Sequence, residues 1–270
     1  LAAFFEPRRD KTRVHGAGEF HHPKAVLVGR VGFFVGRIAR RNKQDTIQTE
    51  RVRSGAGHRH LGLENEHLLE NKGVTYCATC DGALPMFRNK PLVVVGGGDS
   101  ACEEATYLTR FASKVYLIHR RDSLRAEKIL QKRLFEHPKV SMMWDSEIAE
   151  VLGKSNPNGV TGIRVRNLKT SATSDLTLDG LFIAIGHKPN TDIFVGELDM
   201  KNGYITTKSG LEGNATATSV PGVFAAGDVT TVPYKQIIIA AGEGAKAALS
   251  AFDYLIRTPE PVEEITVSQA

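Results

Sequence analysis

The stretch from Pro91 to Ile118 constrains this chain more than any other. Pro91 opens the apolar, β-branched run Leu92-Val93-Val94-Val95, the composition of a strand buried on both faces. Gly96-Gly97-Gly98 follows, and Asp99 stands where a helix needs its N-cap. From there the apolar positions Ala101, Ala105, Leu108 and Ala112 recur every three to four residues, a helical stripe ending near Ala112. Lys114 to Ile118 reads as a second strand. Strand, turn, helix and strand within about thirty residues make a crossover unit, which demands an α/β fold with a parallel sheet.

Within that unit Gly96-Gly97-Gly98-Asp99-Ser100-Ala101 fits G-x-G-x-x-A. Gly96 would permit the tight turn, Gly98 would let backbone approach a pyrophosphate, and the small Ala101 would let the helix pack close to the strand. The helix start offers N–H groups to phosphates, so Gly96, Gly98, Asp99, Ser100 and Ala101 are candidate dinucleotide contacts. The second strand ends in His119-Arg120-Arg121, with Arg125 one turn on. Guanidinium groups match a 2′-phosphate in charge and geometry, which favours NADP over NAD. Asp122 competes as a ribose ligand, and could equally cap the next helix.

Cys77-Ala78-Thr79-Cys80-Asp81-Gly82 is a second centre. A zinc site would need two further ligands, and no second C-x-x-C or paired His lies downstream, so no metal is expected. The pair suits a two-electron disulfide couple instead. Asp81 is placed to pass a proton to or from a thiolate, or else serves as a turn residue before Gly82. Cys102 reads as a small packing residue. A third feature is Gly222-Val223-Phe224-Ala225-Ala226-Gly227-Asp228, a strand that puts a carboxylate at its C-terminal edge. Lys235-Gln236-Ile237 then opens a last helix, at 236–256. Backbone N–H groups there would suit an electron-rich ring edge, although a capping Asp explains the strand equally well. Elsewhere the pattern predicts a helix at 124–135, short strands at 140–144, 148–151, 160–166 and 181–185, and a turn at Asn156-Pro157-Asn158-Gly159.

Charge divides the chain. Residues 1–60 hold 13 Lys+Arg and 5 Asp+Glu; of the totals of 35 and 30, this leaves 22 and 25 for the rest. The basic balance therefore belongs to the first segment and is poor evidence for nucleic-acid binding. That segment shows no sustained periodicity and reads as poorly structured, with regular structure beginning beyond Leu61. No apolar run reaches membrane-spanning length.

Val74-Thr75-Tyr76-Cys77-Ala78-Thr79-Cys80-Asp81-Gly82, the Gly96–Ala101 turn, His119-Arg120-Arg121, Ile185-Gly186-His187-Lys188-Pro189-Asn190 and the 222–228 segment, in this order and spacing, resemble the low-molecular-weight thioredoxin reductases. The likeness runs from Leu61 to Arg257. It implies an NADP-binding Rossmann-like domain inserted in a split FAD-binding domain. The expected division is a basic segment at 1–60, a linker at 61–73, the NADP domain at 74–186, the second half of the FAD domain at 187–258 and a tail at 259–270. The resemblance implies Cys77 and Cys80 as the redox pair, Cys80 nearer the flavin, with Asp81 as proton donor. It places Gly227, Asp228, Lys235, Gln236 and Ile237 at FAD, where the family usually has Arg-Gln-Ala at the last three positions. It further implies NADPH and FAD as cofactors, thioredoxin as partner, a homodimer, a cytoplasmic location, and no nucleic-acid or membrane partner.

The departure is upstream. The family's first flavin segment carries G-x-G-x-x-G after a strand, then an acidic residue, then an apolar strand ending in Ala-Thr-Gly. The nearest match here, Val26-Leu27-Val28-Gly29-Arg30-Val31-Gly32, puts Val31 where the second glycine is needed, and Gly16-Ala17-Gly18 follows no strand. The first half of the FAD domain is therefore expected to be missing or aberrant, through a truncated start, an altered exon or a shifted frame. A basic targeting leader is the weaker option, because Glu6, Asp10 and Glu19 interrupt it. The alternative function is an NADP-binding fragment with a C-x-x-C, no flavin and no turnover.

Overall fold

A computed structural model describes the backbone at residues 26–29, 38–39, 48–49, 51–53, 55–155, 158–211 and 214–258, and side chains at 55–154, 159–211 and 214–258. The chain divides into two compact units, one of residues 55–193 and one made of 1–54 with 194–270.

The 55–193 unit is built on a five-stranded parallel sheet. Its order is Val74–Thr75, Gly180–Ile183, Pro91–Val95, Lys114–Ile118, Val140–Met143. Successive residues of a strand point to opposite faces, and here both faces are buried. Leu92, Val94, Val115 and Leu117 pack with Ala101, Ala105, Leu108 and Leu134 of the helices Asp99–Leu108 and Lys128–Phe135. Val93, Val95 and Ile118 point the other way, onto Ile148, Val151, Val160, Ile163 and Val165. Those residues belong to an antiparallel sheet of Ser146–Ser155, Asn158–Asn167 and Thr173–Thr177. The unit thus has three layers, helix, parallel sheet and antiparallel sheet. A strand covered on both sides has no polar face, which is why Leu92 to Val95 is apolar throughout.

Several expectations are corrected. Regular structure begins before Leu61: Ala56–His58 pairs antiparallel with His187–Pro189, and Asn190 N–H donates to Gly55 O at 2.6 Å. Asp99 is the first helical residue rather than the N-cap, which is Gly98. That helix stops at Leu108, with Ala112 buried beyond it. The next helix starts at Lys128 rather than 124, because the Glu127 N–H is drawn to the Asp99 carboxylate at 2.7 Å. The antiparallel strands are longer than the expected 148–151 and 160–166, and Ser155 pairs with Asn158. Residues 156 and 157 of the expected turn lie outside the described residues, as does Gly16-Ala17-Gly18.

In the split unit Val26–Gly29 lies parallel between Val223–Ala225 and Arg51–Arg53. Helix Ile237–Arg257 packs on this sheet. Phe224 and Ala226 meet Ala247 and Ala251, and the Phe224 and Tyr254 rings contact edge to face at 6.1 Å. Residues 30–32, which complete the nearest match to a flavin turn, lie outside the described residues. Among the described residues no helix is long and apolar enough to cross a membrane.

Candidate functional site

The glycine turn shows a different reason for each small residue. A Cβ on Gly96 would lie 2.5 Å from Ala184 O and 2.6 Å from Ala101 Cβ, so Gly96 and Ala101 together let helix and sheet close. Gly98 caps the helix, and nothing lies within 4 Å of where its Cβ would point. That open approach is what a pyrophosphate against backbone requires. Gly97, which the motif leaves unspecified, is equally constrained: its Cβ would meet the His119 ring at 2.2 Å.

His119 is buried beneath the turn. Burial holds its pKa below the ordinary histidine value, and Arg121 and Arg125 lower it further, against hydrogen bonds to the backbone of Gly96 and Ser123. The following loop is stitched back by Arg125 N–H donating to Gly97 O at 2.8 Å and by the Asp99 carboxylate on Glu127. Ser100, Arg120, Arg121 and Arg125 are exposed around this loop. Asp122 neither caps the next helix, whose N-cap is Glu127, nor stands alone: it is exposed and 3.8 Å from Lys169 Nζ. The turn therefore presents backbone N–H groups and guanidinium side chains, with its carboxylates occupied by protein partners.

Cys77 and Cys80 are joined in a disulfide. Cys77 is the N-cap of the short helix Ala78–Asp81, its sulfur accepting the Cys80 N–H at 3.2 Å. Cys77 is partly buried and Cys80 exposed. Thr75 Oγ1 donates to the Asp81 carboxylate and accepts the Cys77 N–H at 3.3 Å, which ties the carboxylate to the disulfide turn. Gly82 must be glycine, since a Cβ would lie 2.6 Å from Ala78 O and 2.7 Å from a Leu108 methyl. Upstream, the Glu66 carboxylate accepts from Tyr76 Oη at 3.0 Å and from the Gly62 N–H at 2.8 Å. Burial raises the Glu66 pKa, but the Tyr76 hydroxyl and the N–H groups of Leu61, Gly62 and Leu63 together bring it below the usual value. Cys102 is fully buried; burial, then Asp99 and Glu103, push its thiol up to about 11, which makes it inert at neutral pH.

On the Asp99–Leu108 helix, Glu104 shares the inward stripe with Ala101, Ala105 and Leu108. Its Oε2 is buried with no hydrogen-bond partner among the described residues, and burial, then the Glu103 charge, push the carboxyl up to about 7. Sequence reasoning missed Glu104 and Gly97. The available signal was an acidic residue at a helical position three after Ala101 and four before Leu108.

In the split unit, Gly227 and Asp228 open a single turn of 3-10 helix, Gly227–Val229, after the Val223–Ala225 strand. Gln236 is the N-cap of the Ile237–Arg257 helix, and Ile237 is 72% exposed. Lys235 Nζ donates to Thr230 O at 2.6 Å and lies 4.6 Å from the Tyr204 ring centroid. Burial lowers its pKa and Asp228 raises it. What this end of the unit presents is a carboxylate and the first-turn N–H groups of a 21-residue helix. Among the described residues no group of three or more His, Cys, Asp or Glu is arranged to hold a metal.

Residues 14–245 match the family model described as pyridine nucleotide-disulphide oxidoreductase. The match begins well upstream of Leu61, which corrects the boundary expected for the likeness. The chain is 55% identical over 208 residues to a thioredoxin reductase of Coxiella burnetii, covering 76% of this chain and 64% of that protein. It is 48% identical over 222 residues to one from Vibrio cholerae, covering 81% and 69%. The crystal structure of thioredoxin reductase from Streptococcus pyogenes superposes with a TM-score of 0.69 at 38% identity, over 86% of this chain and 73% of that one. The chain thus spans less than two thirds of the Coxiella relative.

Proposed function

This chain belongs to the pyridine nucleotide-disulphide oxidoreductases and, within them, to the low-molecular-weight thioredoxin reductases, and on that footing we propose that it reduces the disulfide of a thioredoxin with electrons from NADPH, through FAD. The observation that carries the reading is the Cys77–Cys80 disulfide, held in the same unit as the open glycine turn. When bound, NADPH would supply a hydride and FAD would supply the two-electron relay to the disulfide. The chain's own part begins at Gly98, where backbone N–H groups would hold the pyrophosphate, and Arg120, Arg121 and Arg125 would hold the 2′-phosphate. The buried, neutral His119 supports the turn from below. Asp228 and the N–H groups at the start of the last helix would hold the flavin.

Asp81, tethered through Thr75, donates a proton to the thiolate that S–S cleavage leaves. The dithiol then attacks the thioredoxin disulfide, forming a mixed disulfide that the second sulfur resolves, so that the Cys77–Cys80 bond reforms and thioredoxin leaves reduced. In domain terms, 74–186 would bind NADP and 187–258 would form the second half of the FAD domain. A cytoplasmic homodimer completes the proposal, with nucleic acid and membrane outside its partners. The net charge of −3 over residues 61–270, from 22 basic and 25 acidic side chains, supports the exclusion of nucleic acid.

Oxidation of NADPH, followed by absorbance in the presence of a thioredoxin, tests this. Turnover is expected, and Cys77→Ser or Cys80→Ser should abolish it. The departure at Val31 favours a second reading, an NADP-binding fragment without flavin. Retained NADPH affinity with no flavin absorbance and no turnover would establish it and overturn the first.

A further inference from the structure

His187, His58, Tyr76, His60 and His67 touch in that order, with ring centroids 4.7, 5.0, 5.1 and 4.8 Å apart, and the chemistry above uses none of them. All five lie in the 55–193 unit. His60 has the most defined setting. Its Nδ1 lies 3.1 Å from Glu66 Oε1 and 2.8 Å from Tyr76 Oη, and the Tyr76 hydroxyl donates to that same carboxylate oxygen at 3.0 Å. A carboxylate only accepts, and the phenolic hydrogen is already directed at it, so Nδ1 carries the ring hydrogen. The lone pair of the neutral ring is therefore at Nε2, across the ring from the carboxylate. Glu66 is fully buried, and its oxygens also accept the N–H groups of Leu61 at 3.2 Å and Gly62 at 2.8 Å. Carboxylate, loop and ring are thus fixed together. His67 sets a second imidazole beside the first, with Glu70 Oε2 4.0 Å from its Nδ1. Both rings are open to solvent, His60 at 41% and His67 at 61%.

A metal-bound histidine ordinarily has this form, one ring nitrogen donating to a carboxylate and the other presenting its lone pair to the ion. We propose that His60 and His67 form a surface site for a divalent cation of the zinc and copper class, with Glu66 as the buried carboxylate that orients His60. Imidazole nitrogen selects such borderline ions over Mg²⁺ and Ca²⁺, which take oxygen ligands. Two imidazoles leave the remaining positions to water, so the ion exchanges with solvent rather than holding the fold. Because His60 also meets Tyr76, the residue before Cys77, an occupied site fastens the loop to the segment that leads into the redox turn. His58 and His187, opposite one another on their two strands, are the competing pair. The site requires neither cofactor nor turnover.

The test titrates Zn²⁺ alone into the full chain with its Cys77–Cys80 disulfide intact. Ring carbon and proton signals of each histidine are followed by NMR and assigned from single replacements by Asn. The His60 and His67 signals should move along one binding curve, and Mg²⁺ at the same concentration should leave both in place. His67→Asn should raise the Zn²⁺ concentration at which His60 responds at least about tenfold, because the second imidazole no longer acts at high effective concentration. Glu66→Gln, which keeps an acceptor oxygen and removes the charge, should weaken binding by about tenfold or more. Signals of His60 and His67 that respond at different Zn²⁺ concentrations overturn the site, as does a His60 response unchanged in His67→Asn. A response of His58 and His187 at lower Zn²⁺ places the ion on the competing pair and overturns it too. Unchanged affinity in a folded Glu66→Gln overturns the role of the carboxylate. Should that variant not fold, His67→Asn decides, since its ring is exposed.

Discussion

At the scale of single residues, close contacts and buried polar atoms set the strongest constraints. Gly97→Ala would place a methyl 2.2 Å from the His119 ring, and that ring is walled in by the sheet end and the arginine loop. We expect a loss of about 1–3 kcal/mol in urea unfolding and weaker NADPH binding by calorimetry, because relief requires the turn itself to move. Arg120→Ala with Arg121→Ala should weaken NADPH at least tenfold while changing NADH little, and added salt should narrow the difference. Glu104 predicts a pH dependence. Its folded pKa is raised above the unfolded value, so its contribution is fully present below about 4.5 and is lost as pH rises through about 7. Glu104→Gln should therefore gain on the wild type by about 2–3 kcal/mol between pH 5 and 8, read as converging and then crossing urea midpoints. His119 acts in the opposite sense. Its folded pKa is lowered, so its contribution is complete above the usual histidine value and is lost as pH falls below it.

At the scale of elements, the parallel sheet succeeds because its middle strands are apolar on both faces and each face meets a different layer. Phe182 is fully buried, with its ring 5.1 Å from that of Phe87, in the core on the helical face. Phe182→Ala should cost about 3–5 kcal/mol in thermal or urea unfolding, the range for truncating a buried aromatic. The crossover unit was legible because a strand, a glycine turn and an amphipathic helix are all local patterns. Helix ends were less so. The expected start at 124 failed because the Asp99 carboxylate, 28 positions away, takes the Glu127 N–H, and no local pattern encodes that partner. Ala56–His58 was likewise missed. Its partner, His187–Pro189, lies about 130 residues on, and three residues are too few to show a period.

At the scale of the whole molecule, chain crossings at 54/55 and 193/194 define an inserted unit and a split one. The last helix leaves Leu249, Phe252 and Ile256 exposed, at 68%, 60% and 58%, on one stripe at spacings of three and four. If this stripe forms the expected homodimer, Leu249→Glu with Phe252→Glu should halve the mass seen by light scattering, with the fold unchanged by circular dichroism. An unaltered mass would remove this helix from the interface. The sequence by itself determined the chemistry-bearing turns, since a C-x-x-C ring and a G-x-G-x-x-A turn need particular residue types only a few positions apart. It also determined the buried strands, through apolar runs at Leu92 to Val95 and Val223 to Ala226. Only the tertiary structure decided that His119 lies beneath Gly97, that an antiparallel sheet covers the second face, and that a Glu104 carboxyl oxygen is buried. Those contacts join residues 22 positions apart, or whole layers, and their energy comes from burial that exists only once the sheet has closed.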